Sequence, residues 1–68
     1  MIKVRPRLNE ILKERNMTQS KLAEISRVPQ SAISRFDRNT QHSDVHVFSI
    51  ARALGLKADD LFIVIDED

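Results

Sequence analysis

The sequence predicts an all-α bundle of four to five helices, with a short two-stranded β-element made by its two ends. Three observations predict it. Several stretches carry apolar residues at spacings of three and four, the repeat of a helix with one buried face. The two ends instead alternate apolar with polar residues, or run in β-branched ones. The chain has 68 residues, one Gly, two Pro and no Cys. That length makes one domain, residues 1–68, with no thiol for a disulfide or a cysteine-based zinc site. A chain this size buries only about 60% of its unfolded surface, so self-association is the expected support for the fold.

The elements follow in order. Ile2-Lys3-Val4 alternates and reads as a strand. Pro6 suits a first helical turn, where its missing N–H has no intrahelical partner. Leu8, Ile11 and Leu12 then form one apolar stripe, Glu10, Lys13, Glu14 and Arg15 face out, and Asn16 terminates helix 1, about 6–15. Thr18 reads as the N-cap of helix 2, about 19–26, whose buried side is Leu22, Ala23 and Ile25. Pro29 disfavours a helical Val28 and opens helix 3, about 30–37, with Ile33 and Phe36 inward. Asn39 to His42 is a polar connection. Ser43 or Asp44 caps helix 4, about 44–54, with Val47, Ile50, Ala51 and Leu54 inward, Phe48 on the flank and Gly55 as the residue after its end. Ala58-Asp59-Asp60-Leu61 reads as one further turn. The run Leu61 to Ile65 reads as a second short strand. Two strands this short need each other or a partner copy.

The net charge is +1, from eleven Lys plus Arg and ten Asp plus Glu. The average hides a segregation. Residues 59–68 hold five acids and no base, so the body, with eleven bases and five acids, stands at +6. A body at +6 is a candidate for phosphate binding. The acidic end is expected to lie away from such a ligand, near a dimer seam. No run of about 18 apolar residues is present, so no membrane span is expected. Met1 to Arg5 carries no apolar segment of a signal peptide, and the expected location is the cytoplasm.

The informative stretch is Thr18 to Phe36, TQSKLAEISRVPQSAISRF. It reads as two helices crossing steeply around a tight turn. Ala23 allows the close approach, Val28 plugs the turn, and Ile33 packs back onto helix 2. Helix 3 is left as an exposed rod with a polar outer face, of a width that fits the major groove of B-DNA.

These residues resemble the Cro/C1-type (XRE) helix-turn-helix transcriptional regulators of bacteria and phages. The resemblance covers about residues 7–62. It rests on Gln19 opening helix 2, Ala23 four residues on, Val28 in the turn, and Gln-Ser-x-Ile-Ser-Arg over 30–35. Ala-Arg-Ala-Leu-Gly-Leu and Asp-Asp-Leu-Phe complete it. It implies a lambda-repressor-like domain. Arg27 stands where the family usually has Gly, and a non-Gly residue at positive φ is strained by roughly 1–2 kcal/mol. Asn39 replaces the Gly usual after helix 3, and Asn enters the left-handed region more readily. The loop to helix 4 is about one residue shorter than in many members.

The resemblance implies a role for each matching residue. Gln30 and Ser31 read base edges, Gln contacting adenine through N6 and N7, while Ser34 and Arg35 reach bases or phosphates one turn on. Gln19 clamps a phosphate and braces Gln30. Thr18, Lys21, Arg27, Arg38, Asn39 and Thr40 are phosphate candidates. Apart from the resemblance, the small core and the apolar terminal segments make Ile2, Val4, Phe62, Ile63, Val64 and Ile65 candidates for dimerisation. The expected partner is a double-stranded operator bound by a homodimer acting as a repressor, with no cofactor.

Other function classes fare less well. His42, Asp44 and His46 offer at most three metal ligands, and His42 precedes the helix cap, so both histidines read as solvated and no metal is expected. No Ser, His and acid stand in a catalytic frame, and no enzyme is expected. A protein-binding module of the same fold, of antitoxin or antirepressor kind, is the alternative. Its sticky element is Leu61 to Ile65, and a combined antitoxin and autorepressor fits the same residues.

Overall fold

The computed structural model describes residues 1–67. The order is β1 (Ile2–Pro6), α1 (Leu8–Glu14), α2 (Gln19–Ser26), α3 (Gln30–Arg35), α4 (Asp44–Leu54), a one-turn 3-10 helix (Ala58–Leu61) and β2 (Phe62–Asp66). The fold is mostly helical, with four α-helices and a two-stranded antiparallel sheet. Helices α2, α3 and α4 sit close to their expected bounds, and α3 ends two residues early.

The N-terminus departs from expectation. Pro6 does not open α1. It ends β1, opposite Phe62. Met1 and Glu67 exchange backbone hydrogen bonds of 3.0 and 2.8 Å, and the Arg7 N–H donates to the Leu61 carbonyl at 2.9 Å. Pairs in an antiparallel ladder alternate. Ile2–Asp66, Val4–Val64 and Pro6–Phe62 are therefore the pairs without mutual hydrogen bonds. Pro6 falls where its missing N–H has no ladder partner, which is what lets proline end this strand. The strands pair within the chain.

The core joins Leu8, Ile11 and Leu12 of α1 to Leu22 of α2, Val28, Ile33 and Phe36. Ile50, Ala51 and Leu54 of α4, with Leu61, close it. Helix α1 has no cap from its own N-terminal residue. The Asp37 carboxylate caps it instead, accepting the Leu8 N–H at 2.8 Å and the Asn9 N–H at 2.9 Å. Thr18 caps α2 by accepting the Lys21 N–H at 3.0 Å, as the sequence predicts. Ser43 takes the same place on α4, with a long 3.5 Å contact to the His46 N–H. Gly55 ends α4 at φ 68°. The same end is tied to α1 by Arg15, whose Nη1 donates to the Leu54 carbonyl.

Three further expectations are corrected. Ile25, expected on the buried side of α2, is 41% exposed, and Leu22 is the residue that α2 buries. Asn39 is not in the left-handed region; the non-glycine residues there are Asn16 (φ 52°) and Arg27 (φ 62°). The Asn39 N–H instead continues the turn after α3 by donating to the Arg35 carbonyl. His42 is not solvated. It is half-buried, its ring 4.2 Å from Phe36 and 5.6 Å from Phe62, with Nε2 2.6 Å from the Phe36 carbonyl. The Phe36, His42 and Phe62 rings seal the sheet against the end of α3.

Candidate nucleic-acid interface

Helices α2 and α3 are held by small, specific devices. Leu22 and Val28 are buried on either side of the turn. The Ser26 hydroxyl donates to the Leu22 carbonyl at 2.6 Å and accepts the Val28 N–H at 3.2 Å, bridging the backbone through the turn. Arg27 adopts the left-handed conformation that the turn demands, its N–H donating to the Ala23 carbonyl at 2.9 Å. The helix is thereby closed, at the strain expected of a non-glycine residue there.

Ile33 anchors α3 inward, 1% exposed. Gln30, Ser31, Ser34 and Arg35 are all exposed. They stand at positions i, i+1, i+4 and i+5, which share one helix face. Thr18, Lys21, Arg27, Arg38, Asn39 and Thr40 are exposed as well, and Gln19 is half-buried. Among the described residues Arg27, Arg35 and Arg38 make no ion pair, while Lys21 approaches Glu24 at 4.0 Å with both side chains open to water. An exposed pair of that kind is weak.

The side-chain contacts differ from what the resemblance implies. Gln19 does not brace Gln30. Its Nε2 donates to Asn9 Oδ1 on α1 at 3.1 Å. Gln30 is braced by Ser20, whose hydroxyl donates to Gln30 Oε1 at 3.2 Å. Asn9, whose backbone N–H is held by Asp37, stands within reach of Gln19, and Ser20 stands beside the first turn of α3.

A match between most of the chain and one family model joins these observations: residues 7–67 match the Cro/C1-type HTH DNA-binding domain. The chain belongs to this family. The Cro/C1-type family is a DNA-binding family, and membership makes the helix-turn-helix over α2 and α3 a DNA-binding element. No curated protein and no solved structure matches the chain significantly. Among the described residues no helix is long and apolar enough to cross a membrane, and no group of three or more His, Cys, Asp or Glu is placed to hold a metal ion.

The six dimerisation candidates divide. Ile2, Val4, Val64 and Ile65 are between 46% and 57% exposed. Phe62 and Ile63 are half-buried, and Phe62 belongs to the aromatic cluster. The acidic end also divides. Asp60 Oδ2 accepts the Lys57 N–H at 3.0 Å and caps the 3-10 turn. Glu67 lies 3.4 Å from Lys3 across the sheet. Asp68 lies outside the described residues.

Sequence reasoning missed Asn9, Ser20 and Asp37, all supporting residues. It also missed that Val45 on α4 stands 68% exposed, while Phe48, expected on the flank, is 60% exposed. The signal for Phe48 was present, since it falls off the Val47, Ile50, Ala51, Leu54 stripe.

Proposed function

We propose that the protein is a sequence-specific regulator of transcription, a repressor that binds a palindromic operator as a homodimer. The observation that carries this reading is the polar face of α3. Gln30, Ser31, Ser34 and Arg35 are exposed together on a helix anchored from behind by Ile33. In the proposed complex Gln30 and Ser31 read base edges, and Ser34 and Arg35 act one turn further along the groove. Arg27 and Arg38, without ion pairs among the described residues, meet phosphates with Thr18, Gln19, Lys21, Asn39 and Thr40, which fixes register and makes affinity salt-dependent. Occupancy of the operator is enough to exclude another protein from the same DNA.

The homodimer reading draws on the terminal sheet. A two-stranded sheet whose exposed residues include Ile2, Val4, Val64 and Ile65 leaves apolar surface in water that a second copy would cover. A two-fold dimer places its two α3 helices in successive major grooves, about 34 Å apart. A second reading, an antitoxin-like or antirepressor-like module that binds a protein, is favoured by Val45 and Phe48. These exposed residues on α4 serve neither the core nor the polar face of α3.

The test is a pair of substitutions measured on a selected duplex. Gln30→Ala relaxes base preference at one position. Arg38→Ala weakens binding to all sequences alike and lowers the salt slope by about one. Binding indifferent to both would remove α3 as the reader.

A further inference from the structure

We propose that the outer face of α4 is a self-association surface, on which the α4 helix of a second copy of this chain lies antiparallel about Phe48. The proposal extends the homodimer reading to a face that neither the core nor the polar side of α3 uses. Val47, Ile50, Ala51 and Leu54 pack on the core. The other side of the helix carries Val45 and Phe48, 68% and 60% exposed. Residues three apart on a helix are neighbours, so these two make one apolar spot and not two scattered ones. Asp44 and Arg52 are exposed on the same side, four residues before Phe48 and four after it.

The order of these residues points to what covers the face. A helix rises 1.5 Å per residue, so Asp44 and Arg52 lie about 6 Å to either side of Phe48 along the axis. A two-fold axis crossing α4 at Phe48 brings each Asp44 level with the partner's Arg52. Both contacts then join opposite charges, and the two phenylalanines meet at the centre with Val45 beside them. Parallel helices would instead set acid against acid and base against base. The pattern is complementary to its own reversal, which is what a contact between identical surfaces requires. A different protein sets no such condition.

Both charges are available for such a contact. Neither Asp44 nor Arg52 makes an ion pair among the described residues. Asp44 uses Oδ1 to accept the Val45 N–H at 2.7 Å, which leaves Oδ2 for a partner. The contact is small. One helix face covers less than the roughly 800 Å² per partner of a stable interface, so the pairing is weak and shows at high protein concentration. Phe48 is its anchor, and the charges at its rim set register more than affinity.

The experiment is sedimentation equilibrium of the full chain over a concentration series, at low salt and without DNA. The variants are Asp44→Arg, Arg52→Asp and Phe48→Ala, each checked for folding by circular dichroism. Either charge reversal alone sets like charges against each other at both ends of the pair, and weakens self-association about tenfold. In an equimolar mixture of the two charge-reversed chains, opposite charges face each other again. The mixture therefore recovers association to within about twofold of the unaltered chain. Phe48→Ala weakens association about thirtyfold, as loss of a central aromatic anchor does. The proposal is overturned if the mixture associates no better than its components, which would leave the face to a different protein. It is also overturned if the unaltered chain associates and Phe48→Ala associates as well. Should Val64→Lys abolish association while the α4 variants keep it, this inference fails and the homodimer reading stands. A chain that stays monomeric throughout fails both.

Discussion

Asp37 lies past the end of α3 and holds the start of α1, and its removal is expected to be the most damaging single polar change outside the core. Asp37→Ala deletes the acceptors of two backbone N–H groups, at 2.8 and 2.9 Å. The Leu8 N–H belongs to a residue with no exposed surface, so water replaces that acceptor poorly, while the Asn9 N–H is open to solvent. A hydrogen bond to a charged group contributes about 1.5–3 kcal/mol, and a helix cap about 0.5–2 kcal/mol. Counting the Leu8 bond near the low end of its range and discounting the exposed one gives a loss of about 2 kcal/mol. With a urea m-value of about 1 kcal/mol/M for a domain this small, the unfolding midpoint falls by about 2 M. Asp37→Asn keeps one acceptor without the charge and loses about half as much. The assay is urea unfolding followed by far-ultraviolet circular dichroism, with the m-value checked for constancy. A loss below about 0.5 kcal/mol would refute the reasoning, because it would mean that α1 finds equivalent partners in water.

Other outcomes follow from the same geometry. Arg27→Gly relieves left-handed strain, offset in part by the greater freedom of glycine in the unfolded chain, so stability rises by about 0.5–1 kcal/mol in thermal unfolding. Affinity for DNA falls at the same time if Arg27 meets a phosphate, and the two readouts move in opposite directions. Leu22→Ala empties a site with no exposed surface and destabilises by about 3 kcal/mol, enough to leave much of a marginal domain unfolded at 37 °C by differential scanning calorimetry. Val64→Lys, at a position 57% exposed, leaves the monomer folded and shifts sedimentation toward the monomer. A dimer that persists unchanged in this variant would remove the sheet from the seam.

The residues that revealed the fold are those whose signal is local. The stripes of α1 and α4, the Thr18 cap, Gly55 and the turn around Val28 each depend on neighbours within a few positions. The misread features depend on distant partners. Pro6 is compatible with a helix start or with a ladder position that needs no N–H, and only its register against Phe62 decides. His42 looks solvated until Phe62 is brought back beside Phe36. Asp37 caps a helix that begins 29 residues earlier in the chain, as the Leu8 N–H to Asp37 contact shows. Within the interface, the exposed face of α3 was legible from its pattern. The Ser20 and Asn9 contacts were not, because the family pattern assigns the bracing of Gln30 to Gln19, and choosing among neighbouring polar side chains takes coordinates.

The charge segregation keeps part of its meaning in three dimensions. Arg27, Arg35 and Arg38 stand on or beside the polar face of α3, whereas Glu67 is occupied with Lys3 and Asp60 with a backbone cap. The acidic end thus has structural tasks of its own.

The central claim is that α3 reads double-stranded DNA, and selection of bound duplexes from a random pool tests it most directly. The account predicts enrichment of a two-fold symmetric site whose half-sites lie about one helical turn apart, with affinity falling steeply as salt rises. Recovery of no common sequence, or of one that Gln30→Ala and Arg35→Ala bind as well as the unaltered chain does, would contradict it.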